Sequence, residues 1–327
     1  MRPFEPHRLR AALPPWGQAG PPAAEVAAYL DFYQLNDCAK GGRTHRMGWL
    51  AVDGERIAVQ AFAPANPGGT ALVCHGYYDH VGLYGHLIDY LVGEGLAVLA
   101  FDQPGHGLST GPVATIASFD AYQAVLAAAL DACRDLPRPL HLAGQSMGAS
   151  IVMEHLARHG GEDFGEILLL APLVRPAYWP LNRIVWEAAR RTISERPRTF
   201  RKNAENADFV RLLQRDPLQA KVLPVQWVKA MVEWMRRFEG YPPMPEVRPR
   251  VIQGLADRTV GWRHNLSVIE RLFRPETLRL PGARHHLVNE APDVRDAMWR
   301  WLSERCAWRA SESDPMHPVS QRRQHEG

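Results

Sequence analysis

Long apolar runs are missing from this 327-residue chain, and so is any marked excess of charge. No window approaches the ~18 uninterrupted apolar residues that a membrane-spanning helix needs, so nothing in it is expected to cross a bilayer. The net charge is only +3 and no basic block stands out, which argues against nucleic acid as a partner. Lysine is scarce, 4 residues against 34 arginines, an imbalance that reads as coding bias rather than an arginine-based function. Cysteine is scarce too. Cys38, Cys74, Cys133 and Cys306 are scattered without a C-x-x-C pair, so neither a disulfide framework nor a metal site is indicated. They read as small buried apolar residues in a reducing compartment. The opening Met1-Arg2-Pro3-Phe4-Glu5-Pro6 has no apolar signal core, and Pro14, Pro15, Pro21 and Pro22 forbid a continuous helix. The cytoplasm is the expected location, and no motif calls for a cofactor.

What is present is an ordinary soluble composition, 46% apolar and 22% charged, on a chain long enough for one large domain with an insertion. Residues 1 to 24 read as a Pro-rich arm, and the tail 310–327 as disordered. Between them strands and helices alternate. Thr44 to Val52 and Glu55 to Phe62 form a hairpin around Asp53-Gly54. Strands follow at Thr70–Cys74, Leu96–Phe101, Pro139–Ala143, Ile167–Leu170, Arg250–Gly254 and Leu278–Leu280, with helices around 85–93 and 120–133. This alternation predicts an α/β fold: a mostly parallel central sheet with helices on both faces. Its core comprises residues 25–172 and 247–309. After the sixth strand the pattern breaks, and 173–246 contains no convincing strand, only helical stretches broken by Pro180, Pro197, Pro217 and Pro224. That insert reads as a helical cap.

The chemistry centres on Gly144-Gln145-Ser146-Met147-Gly148. G-x-S-x-G recurs by chance, but here it lies between a short buried strand and a helix, the context of a nucleophile elbow. Such a turn forces the hydroxyl out of the sheet, and the flanking glycines allow close backbone approach. A serine needs a histidine base oriented by a carboxylate, and on this fold the chain order is Ser, Asp or Glu, His. Asp257 follows the strand Arg250–Gly254 and His285 follows Leu278–Leu280, both just beyond strand C-termini, where open α/β sheets place their sites. The competing loop, Ala171-Pro172-Leu173, offers no acid. Of the adjacent pair, spacing from Gly282 favours His285 over His286, which is left to tune the site or to pack. The oxyanion needs two backbone N–H groups: that of Met147, after the nucleophile, and that of Tyr77, in the loop after the third strand.

Five motifs in this order carry a family resemblance: His75-Gly76-Tyr77-Tyr78-Asp79-His80, Phe101-Asp102-Gln103-Pro104-Gly105-His106-Gly107-Leu108-Ser109, Gly144–Gly148, Gly254–Asp257, and Gly282 to Glu290. The chain resembles the α/β-hydrolases of the monoacylglycerol lipase and lysophospholipase branch, also called the serine aminopeptidase or hydrolase-4 group. The last motif is similar to the family's G-x-x-H-x-x-x-N-E, which again selects His285. The resemblance implies a carboxylic ester hydrolase with a small ester or lipid substrate. The chain departs from the family pattern at Tyr77, where a small residue is common, and at Pro104, where arginine often stands.

The insert decides the substrate. Its best helix runs from Pro224 to before Gly240 and carries Trp227, Met231, Trp234, Met235 and Phe238 on one face. That stripe either packs the helix onto its own domain or, with Tyr78, lines an apolar acyl pocket over Ser146. Interfacial docking through Trp179, Trp186 and the arginines is a third reading. A proline-iminopeptidase-like activity would need a cap carboxylate for the substrate amine, with Glu187, Glu195, Glu205, Asp208 and Glu233 as candidates. Acyl transfer is chemically adjacent, and a receptor without catalysis would dispense with part of the Ser, Asp, His set.

Overall fold

The computed structural model describes residues 3–189, 192–199 and 202–309. Its strands are β1 (Thr44–Val52), β2 (Glu55–Ala63), β3 (Thr70–Cys74), β4 (Ala97–Phe101), β5 (Leu140–Gln145), β6 (Ile167–Leu170), β7 (Glu195–Pro197), β8 (Val222–Pro224), β9 (Arg250–Gly254) and β10 (Glu276–Leu280). The helices are α1 (Pro6–Ala12), α2 (Ala23–Phe32), α3 (Gly85–Gly93), α4 (Asp120–Ala132), α5 (Met147–His159), α6 (Trp179–Ala189), α7 (Ala207–Arg215), α8 (Val225–Phe238), α9 (Trp262–Leu272) and α10 (Pro292–Arg305).

One eight-stranded sheet runs in the order β1-β2-β4-β3-β5-β6-β9-β10. β2 is antiparallel to both β1 and β4, and every pairing from β4 through β10 is parallel. The hairpin turn has Asp53 at φ 48° and Gly54 at φ 83°, the two positive values that match strand twist in a two-residue turn. β3, β4, β5 and β6 are buried along their whole length, as strands must be when both faces of a sheet are covered. Side chains alternate between two apolar layers. Leu72 and Cys74 of β3 face the layer built from α4, α5, α8 and α9, while Ala71 and Val73 face the layer of α1, α2, α3 and α10. The strand order reverses between β3 and β5, so their two exit loops diverge and leave a crevice at the C-terminal edge.

The Pro-rich arm packs against the core. Leu9 and Leu13 are buried in the α3 and α10 layer, and Trp16 N–H donates to Trp49 O on β1. Prolines confine helix to the two segments on either side of them, but its apolar residues dock all the same.

The insert leaves the sheet after β6 and returns at β9. It is helical with one correction: β7 and β8 pair as a short antiparallel ribbon. All three residues of β7 are exposed, so it has no alternating apolar pattern to betray it, and its partner β8 lies more than 20 residues further along the chain. The tail 310–327 lies outside the described residues.

Candidate active site

Ser146 sits between β5 and α5 at φ 54° and ψ −114°, a conformation a non-glycine residue holds only when its surroundings impose it. They do so on both sides. Ser146 N–H donates to Leu170 O at 2.9 Å, and Leu173 N–H donates to Ser146 O at 3.2 Å. A Cβ on Gly144 would come within 2.6 Å of Ala149 N, and one on Gly148 would run into the Cys74 carbonyl of β3. The two glycines therefore let α5 approach the sheet closely enough to make the turn.

The residues singled out by chain order meet here. His285 Nε2 lies 2.9 Å from Ser146 Oγ, and His285 Nδ1 lies 2.7 Å from Asp257 Oδ2. Asp257 is held in turn by Thr259 N–H at 2.7 Å and Val260 N–H at 3.1 Å on Oδ1, and by Gln253 Nε2 at 3.2 Å on Oδ2. All three are nearly closed off, at 7% exposure for Ser146 and 6% each for Asp257 and His285. Burial alone would raise the Asp257 pKa, but the charge and hydrogen bond of His285 and the two backbone N–H groups hold it below the ordinary carboxylate value. Burial likewise opposes charge on His285, yet Asp257, with Asp79 behind it, holds its pKa above the ordinary histidine value. The pair is arranged for a carboxylate that stabilises an imidazolium.

The loop after β3 lies against this group: a Cβ on Gly76 would come 3.4 Å from Ser146 Cβ. His75 fixes it. Its Nε2 accepts Gln103 N–H at 2.8 Å, which puts the proton on Nδ1, and Nδ1 donates to Gly76 O at 2.7 Å. Burial, with the neighbouring His106, pushes the His75 pKa down to about 3, so the ring is neutral as this pattern requires. The C=O and N–H of one peptide unit point opposite ways, so pinning Gly76 O aims the Tyr77 N–H away from His75. Met147 N–H belongs to the first turn of α5, where amides have no intrahelical acceptor. The side chain of Tyr77 donates to Ala114 O at 2.7 Å and stacks on Trp227 at 3.7 Å between ring centroids.

Sequence reasoning left His286 open and gave Asp79 and Tyr84 no role. His286 Nε2 lies 3.2 Å from Asp79 Oδ2, Tyr84 OH donates to that same oxygen at 2.9 Å, and Gly76 N–H donates to Tyr84 OH at 2.8 Å. His286 thus reaches the loop after β3 through Asp79 and makes no contact with Ser146. A buried acid four residues past His75 was the available signal.

The stripe on α8 needs correcting. Trp234 is fully buried between Phe119, at 4.7 Å, and Phe238, at 5.0 Å, and its Nε1 donates to Glu154 Oε2 at 2.9 Å. Both ring faces and the indole nitrogen are occupied, so no surface is left for a substrate. Met231 lies in the same packed layer. These side chains fasten α8 to α4 and α5. Trp227 differs: its Nε1 donates to Tyr122 OH at 3.0 Å, but its ring covers that of Tyr77, in the loop that lies against Ser146. Tyr78, at φ 70°, carries the Arg198 guanidinium of the insert 4.0 Å over its ring.

Sheet order, elbow and insert position are those of the α/β-hydrolase fold. A soluble variant of monoglyceride lipase from Saccharomyces cerevisiae, solved with a substrate analogue, superposes with a TM-score of 0.68 at 16% identity, covering 80% of this chain and 95% of that one. Residues 65–292 match the serine aminopeptidase S33 (hydrolase-4) family, and the chain belongs to it. Within the family it falls in the monoglyceride-lipase-like branch. It is 27% identical over 279 residues to human monoglyceride lipase, covering 80% of this chain and 92% of that protein. It is 33% identical over 131 residues to a monoacylglycerol lipase of Mycolicibacterium smegmatis, covering 38% and 46%. No helix among the described residues is long and apolar enough to cross a membrane.

Proposed function

We propose that the chain hydrolyses monoesters with an apolar acyl group, of the monoacylglycerol or lysophospholipid kind, through an acyl-enzyme on Ser146. The observation that carries this reading is the unbroken run from Ser146 Oγ through His285 to Asp257, at 2.9 and 2.7 Å, on a strained elbow. Ser146 Oγ attacks the ester carbonyl as His285 Nε2 takes its proton, and Asp257 stabilises the imidazolium that results. The oxyanion accepts hydrogen bonds from Tyr77 N–H and Met147 N–H, each worth ~3 kcal/mol in the transition state. His285 then protonates the departing alcohol, and water, deprotonated by the same ring, releases the acid.

Two lines of support select an ester rather than a peptide. The relatives described above are monoglyceride lipases. The four described candidates for binding a substrate amine are also exposed to solvent or already paired. Glu195 is exposed, Asp208 pairs with Arg211, Glu233 faces Lys229 at 3.8 Å, and Glu205 is shared by Lys202 and Arg284. Glu187 lies outside the described side chains.

The test compares p-nitrophenyl esters of rising chain length with aminoacyl anilides, using wild type and Ser146→Ala. Esters should be the better substrates, and Ser146→Ala should lower kcat by a factor on the order of 10⁶. Faster anilide turnover, or equal fluorophosphonate labelling of the variant, would overturn the reading.

A further inference from the structure

Asp216 ends α7 in the insert, and its side chain has no exposure to solvent. Four donors from three separate parts of the chain satisfy its carboxylate. Oδ1 accepts Tyr33 OH at 2.6 Å and Leu218 N–H at 2.9 Å, while Oδ2 accepts His80 Nε2 at 2.9 Å and Gln219 Nε2 at 2.9 Å. His80 Nδ1 accepts Gly82 N–H at 3.2 Å, which assigns the ring proton to Nε2 and directs it at Asp216. The Tyr33 ring stands edge-on to the His80 ring at 4.9 Å.

The three parts are what make the junction informative. Tyr33 caps α2, in the N-terminal segment that lies outside residues 65–292 of the family match. The end of α2 touches the insert a second time there, with Arg215 over the Phe32 ring at 5.6 Å. His80 stands three residues beyond Tyr77. Between them the backbone passes through Tyr78 at φ 70°, a value that persists only if both flanks are held. The upstream flank is held by His75 and Tyr84, on Gly76 O and Gly76 N–H. The downstream flank is held from the core by Asp79, on Tyr84 and His286, and by Val81 N–H on Asp102, and from the insert by Asp216 through the side chain of His80.

We propose that Tyr33 and Asp216 are positioning residues for ester hydrolysis: the end of α2 and the insert together hold His80, and through it help keep the Tyr77 N–H where the oxyanion forms. The inference rests on the role proposed above for Tyr77. It makes α2, which precedes the residues of the family match, a support for the catalytic apparatus, two steps removed from the reacting atoms. A buried junction that only stabilised the fold would change the unfolding midpoint and leave the kinetics of folded enzyme alone.

The experiment uses the full chain and p-nitrophenyl acetate, whose acyl group is too short to depend on contacts with the insert. Tyr33→Phe removes a single oxygen atom and should lower kcat about fivefold with KM within about twofold, the pattern of an interaction made in the transition state. Asp216→Asn should lower kcat by at least about tenfold, and the double variant should be no worse than Asp216→Asn, because both act through one contact. The affinity of a trifluoromethyl ketone, whose hemiketal oxygen occupies the oxyanion position, should weaken by the factor lost in kcat/KM. If Asp216→Asn does not fold, Tyr33→Phe carries the test alone. Wild-type kcat and inhibitor affinity in Tyr33→Phe, whatever happens to its melting temperature, would overturn the proposal. That result with an active wild type and an inactive Ser146→Ala would leave the esterase reading standing; a wild type inactive on esters would sink the esterase reading instead.

Discussion

Asp257→Asn tests the site most sharply, because the surroundings dictate which way the amide must turn. In the native protein Oδ1 receives two backbone donors, Thr259 N–H at 2.7 Å and Val260 N–H at 3.1 Å, while Oδ2 receives His285 Nδ1 at 2.7 Å. An asparagine cannot put its NH2 at the Oδ1 position, where it would face both N–H groups. The amide nitrogen is forced to the Oδ2 side, against His285 and Gln253 Nε2. His285 Nδ1 must then accept, and its proton moves to Nε2, the atom that has to take the proton of Ser146. The fold loses little, since the backbone bonds on Oδ1 survive. Catalysis loses much: conversions of this kind in other triads cost ~10⁴ in kcat, about 5 kcal/mol of barrier. The assay is steady-state hydrolysis of p-nitrophenyl butyrate, with circular dichroism to establish that the variant is folded. Retention of more than about 10% of wild-type kcat by a folded Asp257→Asn would refute the tautomer argument and the role given to Asp257.

Other outcomes follow from the same geometry. Activity needs neutral His285, whose pKa is held up by Asp257, so kcat/KM should rise with pH on a limb centred above the ordinary histidine value, and Asp257→Asn should move that limb downward; a limb centred below it in wild type would contradict the arrangement. Glu154 is fully buried and accepts from Trp234, Arg158, Arg237 and Tyr241. Because both arginines are partly exposed, Glu154→Ala should cost about 2–3 kcal/mol in urea unfolding, with a loss under about 1 kcal/mol counting against it. Trp227→Leu uncovers the outer face of Tyr77 and should lower the decanoate-to-acetate ratio of kcat/KM about tenfold, so an unchanged ratio would remove Trp227 from the acyl site.

Much of this was legible in the sequence, for identifiable reasons. The central strands are continuous apolar runs bounded by turn residues, and the elbow lies on a strand-to-helix boundary that one local pattern specifies. Chain order then placed Asp257 and His285. What escaped was long-range or patternless. Nothing local to Tyr33, His80 or Asp216 announces that positions 47 and 136 residues apart share one carboxylate. The short ribbon of β7, wholly exposed, and β8 has no periodicity. The α8 stripe gave the buried face correctly through its helical period, but periodicity does not tell what covers that face. Here it is α4 and α5, so Trp234 became a core residue, while Trp227 stacks on Tyr77.

The fastening of α8 has a mechanical consequence. With Trp234 sandwiched and Glu154 tying Arg237 and Tyr241 to α5, this helix is a door frame rather than a door. Ser146 and His285 lie almost sealed beneath the loops this helix flanks. The insert is bolted a second time at the end of α7, where Asp216 joins it to a histidine of the core and to Tyr33 at the end of α2. Frame and bolt thus load two separate faces of the sheet's layers, and slackening one leaves the other in place.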